Sequence, residues 1–220
     1  RIQRQALFVQ DEWEISPILS AYLGLRGEGI ETRSEGLSDA VSNRSEVVTP
    51  LAHLNYKLDA KGRELIRMSV TRSYKAPDPA ALLARPAVSS LYYDLTRSNT
   101  AASADRLGNP ALKPELATGL DVAYERYLQG GGLLSLGGFY RQVSDLIRNV
   151  IALQSVSYAS ALRYVSRPVN FAQARTMGLE MELKGRAGEL MPQWFAASVP
   201  LNLRAALNIY RSQVETVPTP

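Results

Sequence analysis

Eight stretches of the chain alternate apolar and polar residues, and the connections between these stretches alternate between short and long. In the clearest stretch, near the end of the chain, Leu207 and Ile209 are separated by Asn208. Because residues two positions apart lie on the same face of a β-strand, each stretch predicts a strand with one apolar and one polar face. The pattern therefore predicts an all-β protein with about eight antiparallel strands.

The strands and their connections can be placed from this pattern. Strands are predicted at about residues 5–15, 19–28, 52–58, 66–73, 115–128, 133–147, 177–184 and 201–210. Tight turns are predicted at 16–17, 59–62 and 129–132, and a less regular turn region at 185–193. Long loops are predicted at residues 32–46, 75–112 and 149–167, with a short helix at 79–84. Short turns at one end and long loops at the other are typical of a transmembrane β-barrel. A soluble β-sandwich shares the alternation within strands but gives no reason for this asymmetry.

Aromatic and charged residues add two further observations on a membrane location. Five aromatic residues lie within a few positions of the predicted short or moderate turns: Trp13, Tyr56, Tyr124, Tyr127 and Trp194. Such rings concentrate at the membrane interface, although aromatics are also common in strands generally. The charges on predicted apolar faces lie near strand ends or turns: Asp11, Arg72, Arg126 and Arg175. Charges at these depths cost little, so both observations favour a membrane barrel.

Composition excludes several kinds of chemistry. The 220 residues include no cysteine and one histidine, so disulfides, thiol chemistry and the usual metal-ligand spacings are excluded. The net charge of +4 comes from scattered Lys and Arg, which is not the basic stripe of a nucleic-acid-binding protein. No catalytic motif is present, and Glu180 and Glu182 have the spacing of a polar strand face. We predict no enzymatic activity and no cofactor.

Several short segments occur in an order that resembles one family. Residues 8–13 (FVQDEW) and 23–26 (LGLR) suggest a strand pair, and residues 73–77 (SYKAP) end a strand with Tyr74, Ala76 and Pro77. Residues 108–115 (GNPALKPE) lead from the longest loop into a strand, with the motif positions Asn109, Pro110, Leu112, Pro114 and Glu115. Segments 138–140, 145–147, 169–170 and 178–180 follow. Together these segments resemble the barrel domain of TonB-dependent outer-membrane receptors over almost the whole chain.

The resemblance implies an architecture and a set of partners. It implies that residues 1–220 are the middle part of a 22-stranded, antiparallel up-and-down barrel, which would form a curved open sheet in isolation. The plug domain and the segment that engages TonB would precede Arg1, and the remaining strands would lie outside this piece. The expected location is the outer membrane of a Gram-negative bacterium, with the barrel in contact with lipid. The expected activity is TonB-energised import of a scarce nutrient, most commonly a ferric siderophore.

Haem is a less favoured substrate. The family's haem receptors carry a histidine between the two motifs that flank the longest loop, and residues 78–108 contain none. The sole histidine, His53, lies on the third predicted strand, where it is expected to form part of a polar lumen wall.

Two groups of loop residues are candidates for ligand binding. Aromatic rings and guanidinium groups can bind anionic chelates or sugars by stacking and by charge-assisted hydrogen bonds. The candidates are Tyr92, Tyr93 and Arg97 in the longest loop and Tyr158, Arg163 and Tyr164 in the next. The alternative is that these side chains hold the loops together. For the chain as a whole, the alternatives are a passive diffusion porin and a soluble all-β binding domain.

Overall fold

A computed structural model describes residues 1–35, 40–196 and 198–214 of the chain. The described residues form a single nine-stranded sheet, in which eight strands are long and antiparallel to their neighbours. The strands are β1 (Ile2–Ser16), β2 (Leu19–Glu35), β3 (Ala40–Lys57), β4 (Glu64–Lys75), β5 (Asp105–Arg106), β6 (Glu115–Tyr127), β7 (Leu133–Gln154), β8 (Arg163–Arg186) and β9 (Asn202–Val214). The helices are α1 (Pro79–Leu82) and α2 (Ala187–Leu190), with a 3-10 turn at Ala101–Ser103.

The strand order confirms the predicted up-and-down connectivity with one addition. The order is β1-β2-β3-β4-β6-β7-β8, and β9 pairs with β8. The two-residue strand β5 lies parallel to the beginning of β8, pairing Asp105 with Val165. The sequence did not predict this strand, because two residues are too short to show any alternation.

Besides the loop that contains β5, the other two predicted long loops are partly strand. Residues 32–46 contain the end of β2 and the beginning of β3, which pair from Thr32 with Asn43 onward, while residues 36–39 lie outside the described ranges. Similarly, β7 continues to Gln154 and β8 begins at Arg163. In the extensions of β2, β3 and β8 both strand faces carry polar residues, and in the extension of β7 (residues 149–154) both faces carry apolar ones, so the alternation that identifies a strand is absent. Backbone pairing does not require an apolar face, which is why the prediction was wrong here.

The predicted turns and short helix are confirmed. Gly62 and Gly131 have φ angles of 64° and 86°, in the left-handed region that the turns at 59–62 and 129–132 require. The predicted helix at 79–84 is the single turn α1, where the Asp78 side chain accepts a hydrogen bond from the backbone N–H of Ala80. The region predicted as a less regular turn contains α2.

The two faces of the sheet differ in polarity. One face carries Leu7, Leu23, Met68, Val122 and Leu179, and we call it the outer face. We call the opposite face the inner face. These five side chains keep 81%, 42%, 42%, 38% and 49% of their surface exposed, so neither a second sheet nor a helix covers them within the described ranges. A soluble protein would bury such a face, whereas a membrane barrel turns it towards lipid.

The height and edges of the apolar surface fit a bilayer. On β3 the outer face is free of charge from Val48 to Tyr56, about 27 Å along the strand and about 20 Å in height at a barrel tilt of about 40°. The outer-face rings of Trp13, Tyr56 and Tyr124 lie at the end with the short turns, as predicted. Of the other two predicted aromatics, Tyr127 lies on the inner face and Trp194 lies in the connection before β9. None of the helices in the described part of the chain is long and apolar enough to cross a membrane.

The outer face becomes polar along one row at the end with the long loops. Arg72, Thr118, Gln142, Arg175 and Gln213 are successive cross-strand partners on β4, β6, β7, β8 and β9. We call this set the arginine row. The preceding row is Val70, Leu120, Tyr140, Met177 and Arg211, of which only the last is charged. The two predicted arginines Arg72 and Arg175 therefore lie at the edge of the apolar surface.

Candidate ligand-binding site at the loop end

The connection between β4 and β6, residues 76–114, folds over the inner face at the end of the sheet that carries the long loops. Ala87 and Arg106 exchange backbone hydrogen bonds of 2.8 and 2.9 Å within it. The backbone N–H of Leu107 also donates to the carbonyl of Ser166 on β8, at 3.1 Å. This connection is therefore an ordered structure attached to the barrel wall. Leu82 and Leu112 are its most buried apolar side chains, with 2% and 1% of their surface exposed.

The segment at 108–115 packs closely against the backbone of the residues around α1. A Cβ atom at Gly108 would lie 2.0 Å from the carbonyl oxygen of Leu83, so only glycine fits at this position. The next residue, Asn109, accepts from the backbone N–H of Ala111 at 3.0 Å and donates to the carbonyl of Pro168 at 3.0 Å. The asparagine thus closes a turn and attaches it to β8. This accounts for both residues without a ligand.

Two further asparagines hold the same segment from either side. Asn43 on β3 donates to the carbonyls of Pro110 and Leu112 at 2.8 and 2.9 Å. Asn170 on β8 accepts from the backbone N–H of Lys113 and donates to its carbonyl, both at 2.8 Å. Each amide side chain therefore substitutes for a strand partner where the connection has none.

A bulge in β7 is built into the same arrangement. Asp145 has a φ angle of 55°, and the register between β7 and β8 shifts at this point. Its carbonyl accepts a hydrogen bond of 2.7 Å from Asn170, and Glu115 accepts one of 2.8 Å from the backbone N–H of Ile147. Glu115 also lies 3.4 Å from the ammonium group of Lys75. The segments 108–115, 145–147 and 169–170 therefore form one structural unit.

The remaining motif residues also have structural contacts. Tyr74 donates a hydrogen bond to Glu28 on β2, and Glu28 pairs with Arg4 and Arg26 at 2.9 Å each. Pro77 and Pro114 are buried, and Ala76 is half-buried, at the two ends of the connection. These motif residues therefore hold the two ends of the connection between β4 and β6 in place.

A fully buried ion pair fixes the centre of the connection. Arg163, at the beginning of β8, and Asp105, in β5, both have no exposed side-chain surface, and their side chains form two hydrogen bonds of 2.9 Å. The guanidinium group also donates to the carbonyls of Tyr92, Arg97 and Asp94, at 2.8, 2.8 and 3.4 Å. These bonds satisfy the charge that burial would otherwise leave uncompensated.

Two other groups complete the environment of the Asp105 carboxylate. The backbone N–H of Ser89 donates to it at 2.9 Å and the hydroxyl of Tyr158 at 3.0 Å. Burial alone would raise the pKa of Asp105, but the hydrogen bonds from Arg163, Ser89 and Tyr158 outweigh burial and lower it. Burial and the hydrogen bond to Asp105 raise the pKa of Tyr158 to about 12. We call Asp105, Tyr158 and Arg163 the buried cluster.

The structure brings the six candidate binding residues together in two different roles. Arg163 and Tyr158 belong to the buried cluster, and the backbone of Tyr164 exchanges hydrogen bonds of 2.6 and 2.9 Å with the side chain of Asn99. The other three present their side chains outside the cluster. Tyr93 is 81% exposed, Tyr92 is half-buried, and the Arg97 side chain is 83% exposed beside Asp94. Tyr93 and Arg97 thus have the most exposed side chains of the six, and their role in ligand binding stays a prediction.

Sequence reasoning missed the residues that organise this site. Asp105, Asn43, Asn99 and Asn170 each form at least one hydrogen bond to a residue more than 50 positions away. No local pattern marks them, because single polar residues in loops are common. A buried Asp–Arg pair could be found from one sequence only if the topology were already known.

The inner face carries a chain of polar contacts across the middle of the sheet. Ser69 donates to Asp121 at 3.0 Å, and Asp121 pairs with Arg141 at 2.6 Å. Arg141 lies over the ring of Phe139 at 5.6 Å, and Phe139 lies 5.7 Å from the ring of Tyr210. The Arg141 and Asp121 side chains keep 34% and 38% of their surface exposed, so the inner face fits the wall of a water-filled lumen.

The rings of Phe139 and Tyr210 meet above Gly178. A Cβ atom there would lie 2.7 Å from the first ring and 2.6 Å from the second, so the glycine makes room for both. Tyr210 then donates to Glu180 at 3.0 Å, and Arg204 pairs with Glu182 at 2.9 Å. These contacts continue the polar surface to β9.

His53 lies on the inner face, as predicted, with its ring 5.9 Å from that of Tyr22. Within the described ranges, no group of three or more His, Asp or Glu side chains could hold a metal ion.

Comparisons with known proteins give the same picture. A family model described as "TonB dependent receptor-like, beta-barrel" matches residues 1–219. No curated protein sequence matches the chain. Solved structures do, and the similarity at these identities concerns the fold.

Three solved structures illustrate the match. The FrpB iron transporter from Neisseria meningitidis superimposes with a TM-score of 0.63 at 11% identity, covering 97% of this chain and 26% of that protein. The siderophore receptor PirA from Pseudomonas aeruginosa gives 0.59 at 16% identity, covering 97% and 36%. The alcaligin outer-membrane receptor FauA from Bordetella pertussis gives 0.58 at 15% identity, covering 97% and 31%. The chain thus spans about a quarter to a third of the length of these proteins.

The match over residues 1–219 agrees with the open antiparallel sheet and with the order of the sequence motifs. The chain belongs to the TonB-dependent receptor family and matches its β-barrel domain.

Proposed function

We propose that this chain forms part of the barrel wall of an outer-membrane receptor that binds a ferric siderophore and imports it with energy supplied through TonB. One observation carries the proposal: a single-layer sheet has an uncovered apolar outer face and a polar inner face, and ordered loops cover the loop end of the inner face. Such a wall separates lipid from an aqueous passage and offers a surface for a ligand at its entrance. Residues 1–220 would then be a partial barrel domain.

The substrate class is supported by chemistry and by the structural neighbours. Tyr93 and Arg97 present an exposed ring and an exposed guanidinium group, a pair that suits the aromatic or anionic groups of an iron chelate. The similar structures include proteins described as an iron transporter, a siderophore receptor and an alcaligin receptor. The family is one of receptors and transporters, so we propose no enzymatic activity.

The partners follow from the architecture. The outer face would contact the lipid of a Gram-negative outer membrane. The inner face would surround a plug domain, which together with the TonB-binding segment would belong to the same protein outside this chain. Neither nucleic acid nor a resident cofactor is part of the proposal.

Binding by the full-length receptor that contains this chain tests the substrate class. The purified receptor is titrated in detergent with a panel of ferric hydroxamate and ferric catecholate siderophores, using intrinsic fluorescence and calorimetry. We expect at least one ferric siderophore to bind, and the variant Tyr93→Ala/Arg97→Gln to weaken it about tenfold or more through lost stacking and charge. The matched control Tyr127→Ala/Arg204→Gln removes the same groups at the short-turn end of the sheet and should bind normally. A folded barrel that binds none of the panel would refute the substrate class.

Transport separates this proposal from its two alternatives. Growth on the bound ferric siderophore under iron limitation should require both the receptor and TonB. Uptake that persists without TonB would indicate a diffusion porin. Purification of the receptor as a monomeric, folded protein without detergent would indicate a soluble all-β domain.

A further inference from the structure

A polar cavity lies at the end of the sheet that carries the short turns. It has a volume of about 300 Å³, and its walls come from the β3–β4 turn, the β6–β7 turn and α2. The backbone N–H of Tyr127 donates a hydrogen bond of 2.7 Å to the carbonyl of Arg63, which holds the first two of these connections together. The cavity is therefore formed by residues of this chain alone.

Three of the five charged side chains that line the cavity already have partners. The carboxylate of Asp59 accepts hydrogen bonds from the backbone N–H groups of Arg63 and Glu64, at 2.6 and 3.0 Å, and so closes the β3–β4 turn. The carboxylate of Glu64 pairs with Arg126 at 3.2 Å. These contacts fix the wall of the cavity and leave the side chains of Arg63 and Glu189 for a ligand.

Arg63 and Glu189 each have one buried polar atom without a hydrogen-bond partner among the described residues. In Arg63 this atom is Nε, which lies 3.7 Å from a carboxylate oxygen of Asp59, beyond hydrogen-bond distance. In Glu189 it is Oε2, whereas Oε1 accepts a hydrogen bond of 2.6 Å from the backbone N–H of Gly130. Buried polar atoms normally have partners, so a bound molecule with one acceptor and one donor would complete the cavity.

Gly130 leaves the space that the Glu189 carboxylate occupies. A Cβ atom at residue 130 would lie 2.5 Å from Oε2 and 3.3 Å from Oε1 of this carboxylate. The positive φ angle of the turn belongs to the next residue, Gly131. The first glycine of the turn at 129–132 therefore serves to hold the carboxylate beside the cavity.

We propose that this cavity binds a zwitterionic α-amino-acid group, in which an ammonium and a carboxylate are attached to one carbon atom. The carboxylate of the ligand would accept a hydrogen bond from Nε of Arg63, and its ammonium would donate one to Oε2 of Glu189. A simple anion would be repelled by Glu189, and a neutral molecule would leave this buried oxygen without a counter-charge. The cavity has room for one amino acid.

The location of the cavity indicates where such a group would come from. In the proposed membrane-spanning barrel, the short turns face the periplasm. Two sources of the group occur there: free amino acids, and the peptides of the cell wall, whose diaminopimelate side chains end in an ammonium and a carboxylate on one carbon. The periplasmic location rests on the proposed function, whereas the cavity and its two unpaired atoms do not.

Ligand-observed NMR of the full-length receptor in detergent tests the site. The probes are free meso-diaminopimelate and the cell-wall tripeptide that ends in it. We expect binding of at least one probe, and binding weaker by about tenfold or more for propylamine and for acetate, which each carry only one of the two charges. Binding of the tripeptide alone would assign the site to the cell wall, and binding of free diaminopimelate alone would assign it to a free amino acid. Binding of neither probe, or equal binding of the singly charged compounds, would overturn the proposal.

Variants test the two charged groups separately. Glu189→Gln keeps an acceptor for Gly130 but removes the charge, and Arg63→Met removes the Nε donor, so each should weaken binding about tenfold or more. Glu182→Gln and Arg204→Met are matched controls, because they alter an ion pair of 2.9 Å at the same end of the sheet, and they should leave binding unchanged. Gly130→Ala displaces the Glu189 carboxylate and should weaken binding without removing a charge. Equal binding by all these variants would overturn the proposal.

A failure of the proposed function would look different from a failure of this inference. Heat-dependent gel mobility reports whether the receptor is a folded barrel in detergent. A folded receptor that imports its ferric siderophore but binds neither probe refutes this inference alone. A folded receptor that binds a probe but no ferric siderophore refutes the proposed substrate class and supports the cavity as a separate site.

Discussion

Replacing Asp105 with alanine measures how much the buried cluster stabilises the connection between β4 and β6. The substitution leaves the guanidinium group of Arg163 buried without a counter-charge and removes its two hydrogen bonds of 2.9 Å to the carboxylate. Removing one partner from a buried ion pair costs about 3–5 kcal/mol, because the remaining charge stays desolvated. The connection between β4 and β6 should therefore open about 10²- to 4 × 10³-fold more often, at about 1.4 kcal/mol for each factor of ten.

Hydrogen exchange measures this opening directly. The amide groups of Ala87, Arg106 and Leu107 donate backbone hydrogen bonds that close the connection and attach it to β8. In the full-length receptor, their protection should fall by that factor in Asp105→Ala, whereas amides in the middle of β6 and β7 should keep theirs. Unchanged protection of the three amides would show that the buried ion pair does not hold the connection closed.

Two further variants control this experiment. Asp94→Ala removes an ion pair with Arg97 that is exposed to solvent, where screening leaves little net stabilisation, so protection should hardly change. Asp105→Leu/Arg163→Met removes both buried charges together and should recover much of the loss. If the double variant opened as readily as Asp105→Ala, the cost would come from lost packing instead of the unpaired charge.

Three other changes test separate features of the structure. The pKa of Tyr158 is raised to about 12, so the hydrogen bond from its neutral hydroxyl stabilises the fold fully below pH 10 and is lost as the pH rises to about 12. The difference in absorbance between the unchanged receptor and Tyr158→Phe should show that this tyrosine ionises near pH 12. The pKa of Asp105 is lowered, so its carboxylate stabilises the fold fully above about pH 4, and this stabilisation is lost as the pH falls through the pKa of Asp105 in the folded protein. Faster protease cleavage of the connection at low pH should reveal the loss. Gly108→Ala places a Cβ atom 2.0 Å from a carbonyl oxygen and should displace the connection, increasing its cleavage by protease at neutral pH; an unaltered digest would contradict this.

The strands could be predicted from the sequence wherever one face is apolar. In β8, Met177, Leu179, Met181 and Leu183 alternate with polar residues, and this part of the strand was found correctly. The first half of β8, from Arg163, has no such alternation, since hydrogen bonds and buried polar groups stabilise it. The boundary of a predicted strand here marks where the apolar outer surface ends, and the hydrogen-bonded strand continues beyond it.

The sequence placed the candidate residues at the loop end, but it did not show which side chains are exposed and which hold the loops together. The tyrosines and arginines predicted to lie in long loops do lie at the loop end of the sheet, and their binding role stays a prediction. Whether a given side chain points outward, like Tyr93, or inward, like Arg163, depends on Asp105, which lies 58 residues before Arg163. That pairing follows from the parallel contact between β5 and β8, which no local pattern indicates.

The two faces of β8 should meet lipid and water in alternation along the strand. The chain contains no cysteine, so single substitutions Leu179→Cys, Glu180→Cys, Met181→Cys and Glu182→Cys can each carry one spin label in the full-length receptor in bilayers. We expect labels at 179 and 181 to be accessible to oxygen dissolved in lipid, and labels at 180 and 182 to be accessible to a water-soluble nickel chelate. Accessibility without this two-residue period, or preferential access of the nickel chelate to positions 179 and 181, would contradict a wall with lipid on one face and water on the other.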